Sequence, residues 1–224
     1  ISVAVIKDDQ VVHSRGYGVR SLQSNLPMTA ETLVGIASNS KAFTAAALAI
    51  LVDEKKLRWD TRVTSVIPEF KLYNPYVTDE FTVMDLMTHR SGLGLGAGDL
   101  MFFPDGSDFT IQDVIYNLRY LKSVSGFRSK YDYDNNLYIV AGEVVKRISG
   151  LSWEEFIEQK IMRPLNMNAS AASITRLKNN DNMVHPHVPV NGTLQVVPFR
   201  PNEVINAAGG IFSNVVDMSK WVRM

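Results

Sequence analysis

The stretch Thr32-Leu-Val-Gly-Ile-Ala-Ser38-Asn-Ser-Lys41-Ala-Phe-Thr44, continued by Ala-Ala-Ala-Leu-Ala-Ile-Leu-Val52, carries one charged side chain, Lys41. From Ser40 to about Glu54 it is apolar nearly all round, the pattern of a helix buried on most faces. Thr32 to Ile36 reads as a short extended piece leading into it. An ammonium at the start of such a helix is costly unless it is paired, solvated or neutral. Ser38 stands three residues earlier, where the helix should begin, and positions i and i+3 share a face. Partial desolvation would suit Lys41 to general-base work on the Ser38 hydroxyl, and a helix N-terminus favours negative charge on that oxygen. The bland alternative is that Ser38 caps the helix and Lys41 snorkels to solvent. Spacing alone does not choose between them.

Two other readings of glycine-containing segments fail. Gly35 to Ala42 imitates a phosphate-binding loop, but Ser40 replaces the required glycine and Ala42 the magnesium-ligating hydroxyl. Gly92-Leu-Gly-Leu-Gly-Ala-Gly98 contains Gly-x-Gly, yet a helical-looking segment precedes it where a dinucleotide site needs a strand.

Outward from this core, the 224 residues include no cysteine, which excludes a disulfide framework, cysteine-ligated metal and a thiol nucleophile. Basic and acidic side chains balance at 23 each, so there is no electrostatic footprint for nucleic acid or an anionic membrane. No membrane span is expected, because Ser38, Asn39, Ser40, Lys41 and Thr44 interrupt the longest apolar stretch. The opening Ile-Ser-Val-Ala-Val-Ile shows no targeting pattern.

Valine- and isoleucine-rich runs at 2–7 and 11–19, separated by Asp8-Asp9-Gln10, predict a hairpin. Thr82-x-x-Asp85, Thr110-x-x-Asp113 and Ser152-x-x-Glu155 predict capped helix starts. Leu137 to Ser149 has helical periodicity with Gly150 as its stop, and Pro164 closes the helix from Ser152. Residues 166–203 read as loops with short strands near 184–188 and 194–197. A last helix starts near Val215 and is expected still to be running at Met224. Strands followed by many helices argue for an α+β fold.

A second polar cluster, Tyr131-Asp-Tyr133-Asp-Asn135-Asn-Leu-Tyr138, precedes the helix of 137–149. Alone it is an ordinary helix-entry loop. With Ser38-x-x-Lys41 it is more. Taken with Gly16-Tyr-Gly18, His89-Arg-Ser-Gly-Leu93, Gly142 and Ala208-Gly-Gly-Ile-Phe-Ser213, in this order, the chain resembles the serine β-lactamase and penicillin-binding-protein superfamily. It is most similar to the class C β-lactamase branch with its related esterases and D-amino-acid peptidases.

That resemblance implies an antiparallel sheet flanked by helices, with a mostly helical subdomain over roughly 55–200, in one domain spanning 1–224. It makes Ser38 the acylated nucleophile, Lys41 its activating base or proton relay, Tyr133 the second base and Asn135 a substrate-binding residue. The Ser38 backbone N–H would supply half of the oxyanion hole. The implied reaction is hydrolysis of an amide, β-lactam or ester bond in a small molecule or peptide, with no cofactor. A periplasmic or extracellular location is the family's habit, and oligomeric state is left open. The family's third motif, Lys-Thr-Gly or His-x-Gly, does not occur in the chain. It belongs on a strand after the last helix, so truncation of the sheet at the C-terminus, and of the N-terminus, is expected.

One further departure and several lesser residues complete the reading. Asp134 stands where relatives often carry Ser or Ala, so its carboxylate either repels an anionic substrate or points to solvent. The Gly-rich loop 92–98 and Met101-Phe-Phe103 are placed at the cleft. His89 reads as structural, holding a turn. His185-Pro-His187 lacks a third ligand for a metal site, Asn168 and Asn191 match glycosylation sequons, and Gly209-Gly210 fits close backbone approach beside the catalytic helix. The rival function is a non-catalytic binding or sensor module that kept the cleft and lost turnover.

Overall fold

Asp8 and Asp9 sit at φ 49° and 60°, the left-handed pair that a two-residue hairpin turn requires, and they join β1 (Ser2–Lys7) to β2 (Gln10–Gly16) antiparallel. The structure, a computed structural model, describes residues 1–103 and 108–224. β3 (Val34–Gly35) leads through a tight turn over Ala37–Asn39 into α1 (Ser40–Asp53). The helical middle follows as α2 (Val63–Val66), α3 (Pro75–Glu80), α4 (Ile111–Asn117), α5 (Asn136–Ser149) and α6 (Trp153–Ile157). A second hairpin, β4 (His187–Val190) and β5 (Thr193–Val196), precedes α7 (Asn206–Gly209), β6 (Phe212–Ser213) and α8 (Val215–Val222). β3 pairs antiparallel with β6. The fold is α+β, its strands forming three two-stranded antiparallel ladders among the described residues. No helix among them is long and apolar enough to cross a membrane.

Four local expectations are corrected. The strand expected at 184–188 is β4, displaced toward the C-terminus because Asn191 and Gly192, at φ 50° and 78°, form the turn and pair Val190 with Thr193. The second strand expected at 11–19 ends at Gly16. At Thr82 only half of a capping box forms: its N–H and hydroxyl donate to Asp85 Oδ2 at 2.9 and 2.7 Å, while the Asp85 N–H goes to the Thr82 carbonyl and not to its hydroxyl. The half box opens only a single 3-10 turn, Asp85–Met87, since the chain reverses at His89 with φ 55°. The last helix stops at Val222, and Arg223 beyond it pairs with Asp9 of the first hairpin at 2.9 Å. By contrast, both capping boxes at Thr110 and Ser152 form, and Gly150 ends α5 at φ 77°.

The core is built around α1 and α5. Phe43, Ala47, Leu48 and Leu51 of α1 are fully buried, as are Val140, Ala141, Val144 and Val145 of α5. Burying a large apolar side chain contributes about 1.5–3 kcal/mol, so these faces hold α1 in place. Close contact between α5 and α7 depends on Gly142, where an added Cβ would lie 2.6 Å from the Ala207 Cβ. Two polar links fix α1 further: Trp153 Nε1 donates to Thr44 Oγ1 (3.0 Å), which donates to the Ala207 carbonyl (2.7 Å).

Candidate active site

Ser38 lies on the turn between β3 and α1, where the backbone is tightly held. Ile36 N–H donates to the Ile211 carbonyl (2.9 Å) and Ile211 N–H to Ser40 Oγ (3.1 Å), tying the turn to the segment after α7. Ala37, just before Ser38, has φ 48°, a left-handed conformation that costs a non-glycine residue about 1–2 kcal/mol. Ser38 itself is exposed. It makes no capping bond to the helix, and Lys41 is 7 % exposed rather than extended into solvent. Neither half of the bland alternative holds.

The Lys41 ammonium has three N–H donors and all three have acceptors: Asn135 Oδ1 at 2.8 Å, the Ala208 carbonyl at 2.8 Å and Ser38 Oγ at 3.2 Å. Burial pushes its pKa below the ordinary lysine value, opposed by the neighbouring Tyr133 phenol and the Asp99 and Asp134 carboxyls. A neutral amine keeps two N–H groups and gains a lone pair. With the two shorter bonds retained, that lone pair faces Ser38.

Tyr133 lies against the lysine, with Nζ 4.8 Å from its ring centre. His89 stacks on the Tyr133 ring with centres 4.5 Å apart and meets Tyr138 in a tilted contact at 5.3 Å. His89 Nδ1 accepts the Asp134 N–H at 3.1 Å, which leaves the ring proton on Nε2. Burial, and then the Lys41 charge, push the His89 pKa down, so the ring stays neutral. The Tyr133 hydroxyl is buried without a hydrogen-bond partner. Tyr138 donates its hydroxyl to the Met87 carbonyl at 3.0 Å, and burial pushes its pKa up to about 12.

Asp134 corrects both sequence expectations: it faces neither cleft nor solvent. It is fully buried, Oδ1 accepts the Asn136 N–H at 2.8 Å, and Oδ2 has no partner. Burial pushes its pKa from 3.8 to about 7. An acid raised in the folded state stabilises that state below its unfolded value and loses the contribution as pH climbs through about 7. Asp134→Asn should therefore gain stability over the wild type progressively between pH 4 and pH 8. Urea midpoints across that range check it, and a pH-independent difference contradicts it.

Ser38 and Asn135 line a cleft of about 270 Å³ with Phe103, Phe199, Phe212, Gly209 and Arg200. Of the segments placed at the cleft from sequence, Phe103 lines it, the loop 92–98 does not, and Met101 and Phe102 are buried in a separate small core. A larger cavity of about 600 Å³, bordered by Glu31, Arg163, Lys178 and Asp217, includes none of Ser38, Lys41, Tyr133 or Asn135. The candidate residues Ser38 and Asn135 therefore open on the smaller cleft. Gly209 does lie beside Ala37, whereas Gly210 presses on Asn206. No group of three His, Cys, Asp or Glu able to hold a metal occurs among the described residues, and His187 Nε2 accepts the Leu22 N–H instead.

Two participants were missed from sequence. Asp99 accepts Asn135 Nδ2 at 3.3 and 3.2 Å with its two oxygens. Its signal was available: it is the one charged residue between Gly92 and Met101. The Ala208 carbonyl had no signal, since every residue carries one.

Comparison with known proteins gives consistent matches. The Beta-lactamase family model covers residues 1–224. Unguisins hydrolase ungD of Aspergillus violaceofuscus is 30% identical over 237 residues, spanning 100% of this chain and 41% of that protein. Unguisins hydrolase ungD' of Aspergillus campestris is 29% identical over 229 residues, 99% of this chain and 42% of that protein. The chain thus spans about two fifths of the length of these curated relatives. Among solved structures, the octameric penicillin-binding protein homologue from Pyrococcus abyssi superposes with a TM-score of 0.88 at 31% identity, covering 100% of this chain and 51% of that one. FmtA from Staphylococcus aureus, at 23% identity, 99% and 60% coverage and a TM-score of 0.83, shares the fold. The match runs from the first hairpin to α8, and the chain belongs to the Beta-lactamase family.

Proposed function

We propose that the protein is a serine hydrolase that forms an acyl-enzyme through Ser38 and cleaves an amide, β-lactam or ester bond. The observation that carries this reading is the 3.2 Å contact between Lys41 Nζ and Ser38 Oγ, with the other two lysine donors fixed at 2.8 Å. The unguisins hydrolases among its relatives support hydrolysis as the reaction class.

Neutral Lys41 takes the Ser38 hydroxyl proton as Oγ bonds to the substrate carbonyl carbon. The geometry favours Lys41 over Tyr133 for this step, because the Tyr133 hydroxyl has no hydrogen bond to the serine. Negative charge on the former carbonyl oxygen is met by the Ser38 N–H, an interaction commonly worth about 3 kcal/mol. As the C–N or C–O bond breaks, the Tyr133 hydroxyl protonates the leaving atom and is reprotonated from Lys41. Water then attacks the ester, its proton passing back through Tyr133, and Ser38 is released. Asn135 has a second Nδ2 hydrogen, beyond the one on Asp99, for a substrate carbonyl. The aromatic lining of the cleft suits an apolar side chain on the acyl group.

Multiple-turnover hydrolysis of nitrocefin or p-nitrophenyl butyrate, lost in Ser38→Ala, is the expected result. Turnover that persists in Ser38→Ala overturns the reading, and acylation without turnover selects a binding or sensor role instead.

A further inference from the structure

The Asn135 side chain joins two groups of opposite character. Lys41 Nζ can only donate and an ionised Asp99 can only accept, so the carboxamide has one orientation that satisfies both. Oδ1 faces the lysine at 2.8 Å and Nδ2 faces the carboxylate at 3.2 and 3.3 Å. Reversed, it would set N–H against ammonium and oxygen against carboxylate. The Asp99 carboxylate is half-buried at the start of a single turn, Asp99–Met101, which Gly98 enters at φ 80°. The main-chain O of Asp99 closes that turn, leaving the side chain free to point at Asn135.

We infer that Asp99 is a positioning residue for acylation of Ser38: it orients the Asn135 carboxamide toward Lys41, and its negative charge sets how tightly Lys41 holds its proton. The inference rests on the reading of Ser38 as nucleophile and Lys41 as its base. The charged and titratable groups around the lysine are Asp99, whose own pKa burial pushes up, Asp134, Tyr133 and Tyr138, with His89 held neutral behind Tyr133. Asp99 is the carboxylate joined to the lysine through one intervening side chain. Asp134 is buried behind the tyrosine motif and makes no bond to Asn135 or Lys41.

The test is the rate of Ser38 labelling by a fluorophosphonate between pH 5 and pH 10. In that step the Oγ–P bond forms, the P–F bond breaks, fluoride leaves and the serine proton passes to Lys41. Asp99→Asn removes the charge but keeps an oxygen that accepts from Asn135 Nδ2. Its acid limb should move about half to one pH unit lower, because a nearby negative charge favours the protonated lysine and is now gone, while the plateau stays within a few-fold of wild type. Asp99→Leu removes charge and acceptor together. It should show the same limb shift with a plateau about tenfold lower or more, and partial recovery in Asp99→Asn is the signature of positioning. Coincident profiles for all three proteins overturn the inference. So does a fallen plateau with an unmoved limb and a lowered melting temperature, which marks a merely structural residue. A wild type left unlabelled at Ser38 overturns the nucleophile reading and the inference with it, and is told apart by the missing adduct before any variant is made.

Discussion

Lys41→Met should slow acylation of Ser38 by about 10²–10⁴-fold, the range usual for loss of a positioned general base. Methionine keeps an unbranched apolar stem at this position of α1, and the buried Phe43, Ala47 and Leu48 of the helix are untouched. What disappears is the amine that faces Ser38 Oγ at 3.2 Å. The substitution also leaves Asn135 Oδ1 and the Ala208 carbonyl without a donor, which costs about 1–3 kcal/mol per buried unsatisfied group. Against that stands relief of a buried ammonium, so the fold should persist with a modest change in urea midpoint. Pre-steady-state acylation of the folded variant by p-nitrophenyl butyrate checks the rate, and a value within about tenfold of wild type would remove Lys41 from the chemistry.

Tyr133→Phe should separate stability from turnover more sharply. The ring that stacks on His89 is retained, and the lost hydroxyl has no partner in the resting protein. Deleting a buried unsatisfied group is neutral or stabilising, so the urea midpoint should hold or rise. Turnover should still fall by about 10²–10⁴-fold. p-Nitrophenolate leaves without needing a proton, so acylation by its ester survives better than deacylation. The expected trace is a burst of one equivalent of p-nitrophenol followed by a slow steady state. Loss of both phases together, or of neither, contradicts the assigned role.

How much of this was legible in the sequence follows from the range of the forces involved. α1 and α5 were readable nearly to the residue, since an apolar run and Gly150 are local signals. Ser38, Lys41, Tyr133 and Asn135 were readable as motifs, and the structure brings Lys41 into contact with the other three. Asp99 stood out as the lone charge between Gly92 and Met101, but its role was not readable, because its partner is an amide 36 positions away across the fold. The direction of Asp134 was not either: the same loop carries Tyr133 toward the lysine and the next side chain into the interior. The single turn at Asp85 shows the limit of capping arguments, as only the carboxylate half of the box forms and a positive φ at His89 ends the run. The Asn191-Gly192 turn was legible in principle, and reading it would have set β4 in register.

The central claim is that Ser38 is the one nucleophile and that its neighbours activate it. Intact-protein mass spectrometry after brief exposure to a fluorophosphonate, followed by peptide mapping, tests this most directly. A single adduct on Ser38, absent in Ser38→Ala and strongly slowed in Lys41→Met, is the predicted result. No adduct on the folded protein, or one that survives Ser38→Ala, would contradict it.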